Sequence, residues 1–117
     1  MKNQSGKAGE EHIARWLESQ GYEILARNFH SRYGEIDIVA QRPPYIAFVE
    51  VKARVENSLV SPFEAITPRK QRKIIATAQE YLRQHPSGLQ PRFDAAAVHL
   101  QEGAMVGQEY LENAFWG

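Results

Sequence analysis

Between residues 7 and 20, apolar side chains recur at helical spacing. Ile13, Ala14, Trp16 and Leu17 form one stripe, which predicts a helix. Ser5 stands where an N-cap belongs, and Gly21 stands in the C′ position that stops a helix. Glu11 and Arg15, one turn apart, read as a solvent-side pair. Residues 22–28 read as a short strand with Ile24 and Ala26 on one face, and HSRYG at 30–34 reads as a turn. Residues 35–40, EIDIVA, alternate: Ile36 and Ile38 point one way, Glu35, Asp37 and Val39 the other. Proline lacks a ladder donor, so QRPP at 41–44 cannot continue a central strand. In residues 46–52, IAFVEVK, Ala47, Val49 and Val51 share one face, and Phe48, Glu50 and Lys52 share the other. The two strands read as a hairpin.

A second helix is predicted over residues 68–84. Thr67 caps it, Pro68 takes the first helical position, and Ile74, Ile75, Ala78, Tyr81 and Leu82 form the core stripe. HPSG at 85–88 ends it. RFDAAAVHL at 92–100 reads as a strand buried on both faces, suited to lie parallel beside the hairpin. A weaker strand is expected over 104–111, before a tail of Ala114, Phe115 and Trp116. The longest irregular stretch is 55–66. The order is helix, three strands, helix, strand and a weaker strand, an α/β arrangement whose second helix implies a right-handed crossover. The 117 residues fit one domain spanning 1–117.

Composition changes this picture little. It is 43% hydrophobic and 24% charged, which is ordinary for a soluble globular protein. Without cysteine there are no disulfides and no thiolate zinc sites. Residues 1–9 lack the apolar run of a signal peptide, and no stretch reaches the roughly 20 apolar residues that span a bilayer. The expectation is a soluble cytoplasmic protein without a membrane partner. Charge matters more. The net charge is zero, which argues against a uniformly basic nucleic-acid surface. Yet TPRKQRK at 67–73 carries four cations and no acid, so a local basic patch is available.

The chemistry gathers at 35–52. In a symmetric hairpin centred on Pro43 and Pro44, opposed residue numbers sum to 87. Asp37 then faces Glu50, Glu35 faces Lys52, and all four share one face. Opposed Cβ atoms lie about 4.5–5.5 Å apart. Carboxylates that close repel unless a cation sits between them, and Mg²⁺ suits such oxygen ligands. Lys52 would lie beside the metal, able to orient a water or stabilise charge developing on a phosphate. On spacing alone, a solvated face with cross-strand ion pairs worth about 0.2–1 kcal/mol is the plainer reading. Against it, Val39 and Phe48 share that face, and opposed carboxylates without a ligand are poor design.

Other residues are candidates. Glu10 lies three, four and seven residues before Ile13, Ala14 and Leu17, so it points along the apolar stripe. A carboxylate there either meets a partner or serves the helix dipole. Gln71 either reaches the site or sits at the edge of its stripe. Arg69, Lys70, Arg72 and Lys73 either contact phosphates or form a solvated face. Asp94 is either a structural acid or a neighbour of the site. His12, His30, His85 and His99 show no metal-ligand spacing, and Trp16 and Trp116 read as packing residues.

A set of blocks now stands out. They are Gly6-x-x-Gly9-Glu10, Gly21-Tyr22, Arg27-Asn28-Phe29, Gly34-Glu35-Ile36-Asp37-Ile38, Phe48-Val49-Glu50-Val51-Lys52-x-Arg54, Lys70-Gln71-Arg72, Arg92-Phe93-Asp94 and Ala114-Phe115. Across nearly the whole chain they resemble the bacterial YraN-type family, which in turn resembles the restriction-endonuclease-like superfamily that includes archaeal Holliday junction resolvases. The resemblance implies a restriction-endonuclease-like αβββαβ core with a mixed central sheet flanked by helices. It implies that Asp37, Glu50 and Lys52 bind Mg²⁺ or Mn²⁺ and activate water. The Val51 carbonyl is then an extra metal ligand, and Glu10 joins from the first helix. The stretch 55–64 departs from the pattern in lacking an expected glycine.

The leading expectation is a Mg²⁺- or Mn²⁺-dependent nuclease acting on DNA, branched or structured, with Arg69, Lys70, Gln71, Arg72 and Lys73 on the nucleic acid. A homodimer is compatible with this. The alternatives are a nucleic-acid-binding module without catalysis, and a scaffold or assembly protein, which the neutral charge favours.

Overall fold

The computed structural model describes residues 4–55 and 62–115. Its elements are α1 (Gln4–Ser19), β1 (Glu23–Ser31), β2 (Gly34–Arg42), β3 (Tyr45–Val55), a 3₁₀ turn (Pro62–Ala65), α2 (Pro68–Gln84), β4 (Gln90–Gln101) and β5 (Ala104–Phe115). The five strands form one mixed sheet in sequence order. The β3–β4 pair is parallel and the others are antiparallel. This is the expected α/β architecture, and it is compatible with a restriction-endonuclease-like core. Residues 56–61, within the stretch expected to lack regular structure, and Trp116 lie outside the described residues.

Each helix covers one sheet face. Ile13, Ala14 and Leu17 of α1 pack with Ile38, Ala40, Ala47, Val49, Val51, Ala96 and Val98. Ile74, Ala78 and Tyr81 of α2 pack with Ile36, Val39, Ile46, Phe48, Phe93 and Ala95. The alternation expected along β3 is therefore observed. Phe48 is fully buried, its ring 5.7 Å from Phe93 and 5.9 Å from Tyr81. Truncating such a ring costs about 3–5 kcal/mol. Along α2 the stripe is as expected, but Thr77, a residue the apolar pattern passes over, is fully buried as well.

The helix ends follow local chemistry. Gly21, at φ +91°, ends α1: its N–H donates to the Glu18 carbonyl, and the Tyr22 N–H reaches back to Leu17. That pair of bonds is a Schellman stop, closed by burial of Leu17 and Tyr22 together. The other end differs from expectation, because α1 is already helical at Gln4 and Ser5 lies inside it. Thr67 caps α2 by accepting the Lys70 N–H at 3.3 Å, with Pro68 in the first turn as expected. Gly9 lets α1 settle onto the sheet, since a Cβ there would come within 2.8 Å of the Val98 side chain.

Two strands break the simple alternation, and both breaks shape the site. A bulge between Ile24 and Ala26 puts these residues on opposite faces, Ile24 toward α1 and Ala26 toward α2. At Asn28 the backbone turns to φ +53°, a conformation asparagine tolerates. Arg27 pairs with Ile38 and Phe29 with Ile36, and no Asn28–Asp37 pair is formed. Across that gap both strands change face. Arg27 reaches Glu11 on α1, whereas Phe29 packs against the α2 core. Likewise Ile38 faces α1 and Ile36 faces α2, correcting the expectation that the two isoleucines point together. The turn after β1 also narrows, because β1 runs on to Ser31 and β2 begins at Gly34.

Candidate metal site and basic face

The hairpin register holds only in part. Pairs from Arg42–Tyr45 to Ile38–Val49 sum to 87 as expected, and there the β2–β3 ladder stops. Beyond it Asp37 is not laddered to Glu50. Its Oδ2 instead accepts the Val51 N–H at 2.7 Å, in the place of a ladder carbonyl. Glu35 does not face Lys52; it pairs with His30 on β1. The expected single row of four residues is replaced by two groups joined at Asp37.

The first group is acidic. Glu10, Glu35 and Asp37 each offer a carboxylate oxygen, and these oxygens lie within 4.8 Å of one another. Glu10 and Asp37 are buried, and Glu35 is half-buried. At such a separation, ionised carboxylates repel by about 3–4 kcal/mol per pair at an effective dielectric constant of ~20. A shared proton or a bound cation relieves that repulsion. Three carboxylates are hard oxygen donors, so the residues fit a divalent ion such as Mg²⁺ or Mn²⁺. Glu10 meets Asp37 as the α1 stripe suggests. Alternation places Glu35 on the face of Asp37, as observed, but the expected pairing of Glu35 with Lys52 concealed its place in this cluster. An open cleft beside the cluster is lined by Lys7, Glu10, Glu11, Arg27, His30 and Glu35, among others.

The second group is mixed in charge. Glu50 and Lys52 follow the parity of Phe48 along β3, and Lys52 Nζ lies 3.8 Å from a Glu50 oxygen. Lys70 of α2 joins them. Contact with the Lys52 amine holds the Lys70 pKa below its ordinary value, burial adds to the effect, and Glu50 opposes it. Glu50 is not a member of the acidic cluster. Its peptide link to Val51 nevertheless lies directly against the Asp37 carboxylate.

The remaining candidates separate. Gln71 does not reach the acidic cluster; it donates to the Ile66 carbonyl at 3.0 Å and ties α2 to the preceding turn. Arg69, Arg72 and Lys73 lie on the exposed face of α2 and line a cleft with Arg32 and Tyr33. Asp94 is a structural acid. It is fully buried and accepts from Arg92, the Tyr110 hydroxyl at 2.6 Å and the Asn113 N–H at 3.1 Å. Burial alone would lower the Arg92 pKa, but its bonds to Asp94 and Tyr22 outweigh that and hold it above the ordinary range. His99 meets Glu109 across the β4–β5 pair, and Trp16 packs on Tyr110 with ring centroids 5.0 Å apart. Among the described residues, no helix is long and apolar enough to cross a membrane.

Comparison with known proteins places the chain. A UPF0102 protein of Chlorobium chlorochromatii is 40% identical over 116 residues, covering 95% of this chain and 90% of that protein. A UPF0102 protein of Pelobacter propionicus is 44% identical over 114 residues, covering 95% and 81%. Among solved structures, Pyrococcus furiosus SfsA in complex with Ca²⁺ overlays with a TM-score of 0.35 and 18% identity. That overlay covers 92% of this chain and 62% of the other, and at this score it carries no argument. The family described as "Uncharacterised protein family UPF0102", the YraN family to which the motif blocks pointed, matches residues 9–98, and this chain belongs to it.

Proposed function

We propose that the protein is a divalent-metal-dependent nuclease that hydrolyses phosphodiester bonds in DNA, branched or structured. The observation that carries this reading is the convergence of Glu10, Glu35 and Asp37, with Asp37 tied to the Glu50–Val51 peptide group. Glu10, Glu35 and Asp37 would hold Mg²⁺ or Mn²⁺ from the α1 side, and Glu50 would serve from β3. N–H and C=O of one strand residue project to the same side, so the Val51 carbonyl faces the same opening as its N–H. When bound, the ion lowers the pKa of a water and polarises a phosphoryl oxygen.

The protein's own groups supply the rest. Glu50 holds the Lys52 ammonium at 3.8 Å, where it can meet charge that develops on the phosphate. Lys70 continues that positive charge onto α2. Arg69, Arg72 and Lys73 would take the DNA backbone. The decisive experiment is a cleavage assay with Mn²⁺ on duplex, single-stranded, flap and four-way DNA. Cleavage of at least one substrate, abolished in Asp37→Asn, supports the reading. Binding without cleavage would leave a nucleic-acid-binding module, which the exposed cations of α2 favour on their own account.

A further inference from the structure

Four cations and one exposed aromatic ring meet at the tip of the β1–β2 hairpin. Arg32 and Tyr33 form the tip, and Arg69, Arg72, Lys73 and Ala76 of α2 complete the lining of an open cleft. That lining contains no acid. Several other arginines pair with acids: Arg15 and Arg27 with Glu11, Arg83 with Glu80, and Arg92 with Asp94. Among the described residues, Arg69, Arg72 and Lys73 form no such pair. Glu80 lies near enough to Arg32 to offset part of its charge, but on a chain of zero net charge the three unpaired cations of α2 still attract a polyanion locally.

The tip is fixed to α2 by a chain of hydrogen bonds. The Tyr33 N–H donates to Ser31 Oγ at 3.0 Å, Ser31 Oγ meets Thr77 Oγ1 at 2.9 Å, and Thr77 donates to the Lys73 carbonyl at 2.8 Å. The Thr77 hydroxyl hydrogen is committed to Lys73, so Ser31 is the donor in the middle bond. A tip held in this way loses little freedom on binding. Tyr33 is 41% exposed. The Arg32 guanidinium lies over its ring, 5.0 Å from the centroid, and donates to its hydroxyl at 2.7 Å. A braced, exposed ring beside free cations has the chemistry of a single-strand platform, where cations track phosphates and the ring stacks on an unpaired base. A duplex keeps its base faces stacked and offers the ring nothing.

The tip also adjoins the acidic cluster. His30 lines both the carboxylate cleft and the groove that reaches Arg32 and Tyr33. We propose that Arg32, Tyr33, Arg69, Arg72 and Lys73 dock a single-stranded DNA segment, that Tyr33 stacks on an unpaired base, and that the strand runs round the β1 edge to the carboxylates. The choice of DNA rests on the proposed nuclease reading; the platform itself requires no catalysis.

The test is fluorescence anisotropy of the full chain at low salt, with labelled oligothymidylate, a blunt DNA duplex and oligouridylate as probes. Tyr33→Ala and Tyr33→Leu should weaken oligothymidylate binding about tenfold or more, as loss of a stacked base does. Duplex affinity should hold within about twofold, since the cations remain. Tyr33→Phe keeps the ring and should bind as wild type. Any of four results overturns the proposal: Tyr33→Ala binding as wild type, Tyr33→Phe failing with it, single strand and duplex weakening together, or oligouridylate binding better than oligothymidylate. Mn²⁺-dependent flap cleavage by the same proteins separates the two readings. Tyr33-dependent binding without cleavage sinks the nuclease alone, and cleavage with Tyr33-independent binding sinks the platform alone.

Discussion

The Asp37 carboxylate takes the Val51 N–H at 2.7 Å and also lies within 4.8 Å of the carboxylates of Glu10 and Glu35. One side chain thus ends the β2–β3 ladder and opens the seam where the candidate site lies. The bond satisfies a buried backbone donor that would otherwise cost about 1–3 kcal/mol. The charge is a separate matter, and substitutions can tell the two roles apart.

Asp37→Asn keeps an oxygen for Val51 and removes one negative charge. The metal-free variant should melt at the wild-type temperature or above it. In wild type, Mn²⁺ at a hundredfold excess over its dissociation constant should add about 2.7 kcal/mol, roughly 10 °C in melting temperature. The variant should lose that gain. Asp37→Leu strands the Val51 N–H and should lower stability even without metal. Calorimetry with and without Mn²⁺ reads both effects, and a wild-type Mn²⁺ shift in Asp37→Asn places the ion elsewhere.

Glu35 yields a sharper prediction, because only the folded geometry places it with Glu10. Glu35→Gln and Glu10→Gln should each reduce the Mn²⁺ shift. Glu11→Gln is the control. Glu11 neighbours Glu10 in sequence, but its exposed carboxylate is engaged with Arg15 and Arg27. Equal losses in all three variants would mean that general surface charge, rather than the cluster, attracts the ion.

The sequence patterns that succeeded were those enforced by local chemistry or unbroken alternation. Thr67 and Pro68 start α2, Gly21 stops α1, and β3 alternates from Ile46 to Val51, where both of its faces are buried. The carboxylates were legible as residue types, not as a constellation. Period-two reasoning assumes a continuous ladder, and the positive φ at Asn28 turns β1 and β2 together without changing their register. That twist separates Ile36 from Ile38 and brings Glu35, with Asp37, to Glu10. Asn28 was the available signal, since asparagine is enriched in that conformation, but nothing local distinguishes it from an ordinary strand asparagine. Asn113, also at positive φ (+54°), lies where the β4–β5 register shifts, and its N–H donates to Asp94. Asp94 at the β4–β5 shift and Asp37 at the end of the β2–β3 ladder each satisfy a backbone donor that the ladder leaves unpaired.

The Asp94 network predicts a pH effect. Burial first, then the nearby Asp94 charge, push the Tyr110 pKa well above its ordinary value near 10. Above pH ~10 the unfolded chain releases this proton and the folded chain keeps it. Stability is therefore full below about pH 10 and falls as the pH rises past it. Tyr110→Phe should flatten that alkaline decline by up to about 1.4 kcal/mol per pH unit. At neutral pH it should cost about 1–3 kcal/mol, because Asp94 loses a donor. Denaturant melts from pH 7 to 11 give both values, and an unchanged alkaline slope would show that Tyr110 is not the titrating group.

Lys52 separates an enzyme from a binder. It is clasped by Glu50 and its side chain is only 24% exposed, so it is poorly placed to add ground-state affinity for DNA. If it meets charge that forms on the phosphate, its contribution appears only in the transition state. Lys52→Ala should then cut Mn²⁺-dependent cleavage by about 10²-fold or more while shifting the DNA dissociation constant only a few-fold. Neutralising Arg69, Arg72 and Lys73 together should do the opposite. Binding to all sequences should weaken alike, and the slope of log affinity against log salt should fall by about one for each phosphate that is no longer neutralised. The two variant sets need the same cleavage and anisotropy assays on one substrate. If Lys52→Ala lowers affinity as much as it lowers the rate, Lys52 belongs with the backbone-binding cations, and the carboxylates would have to supply the chemistry without it.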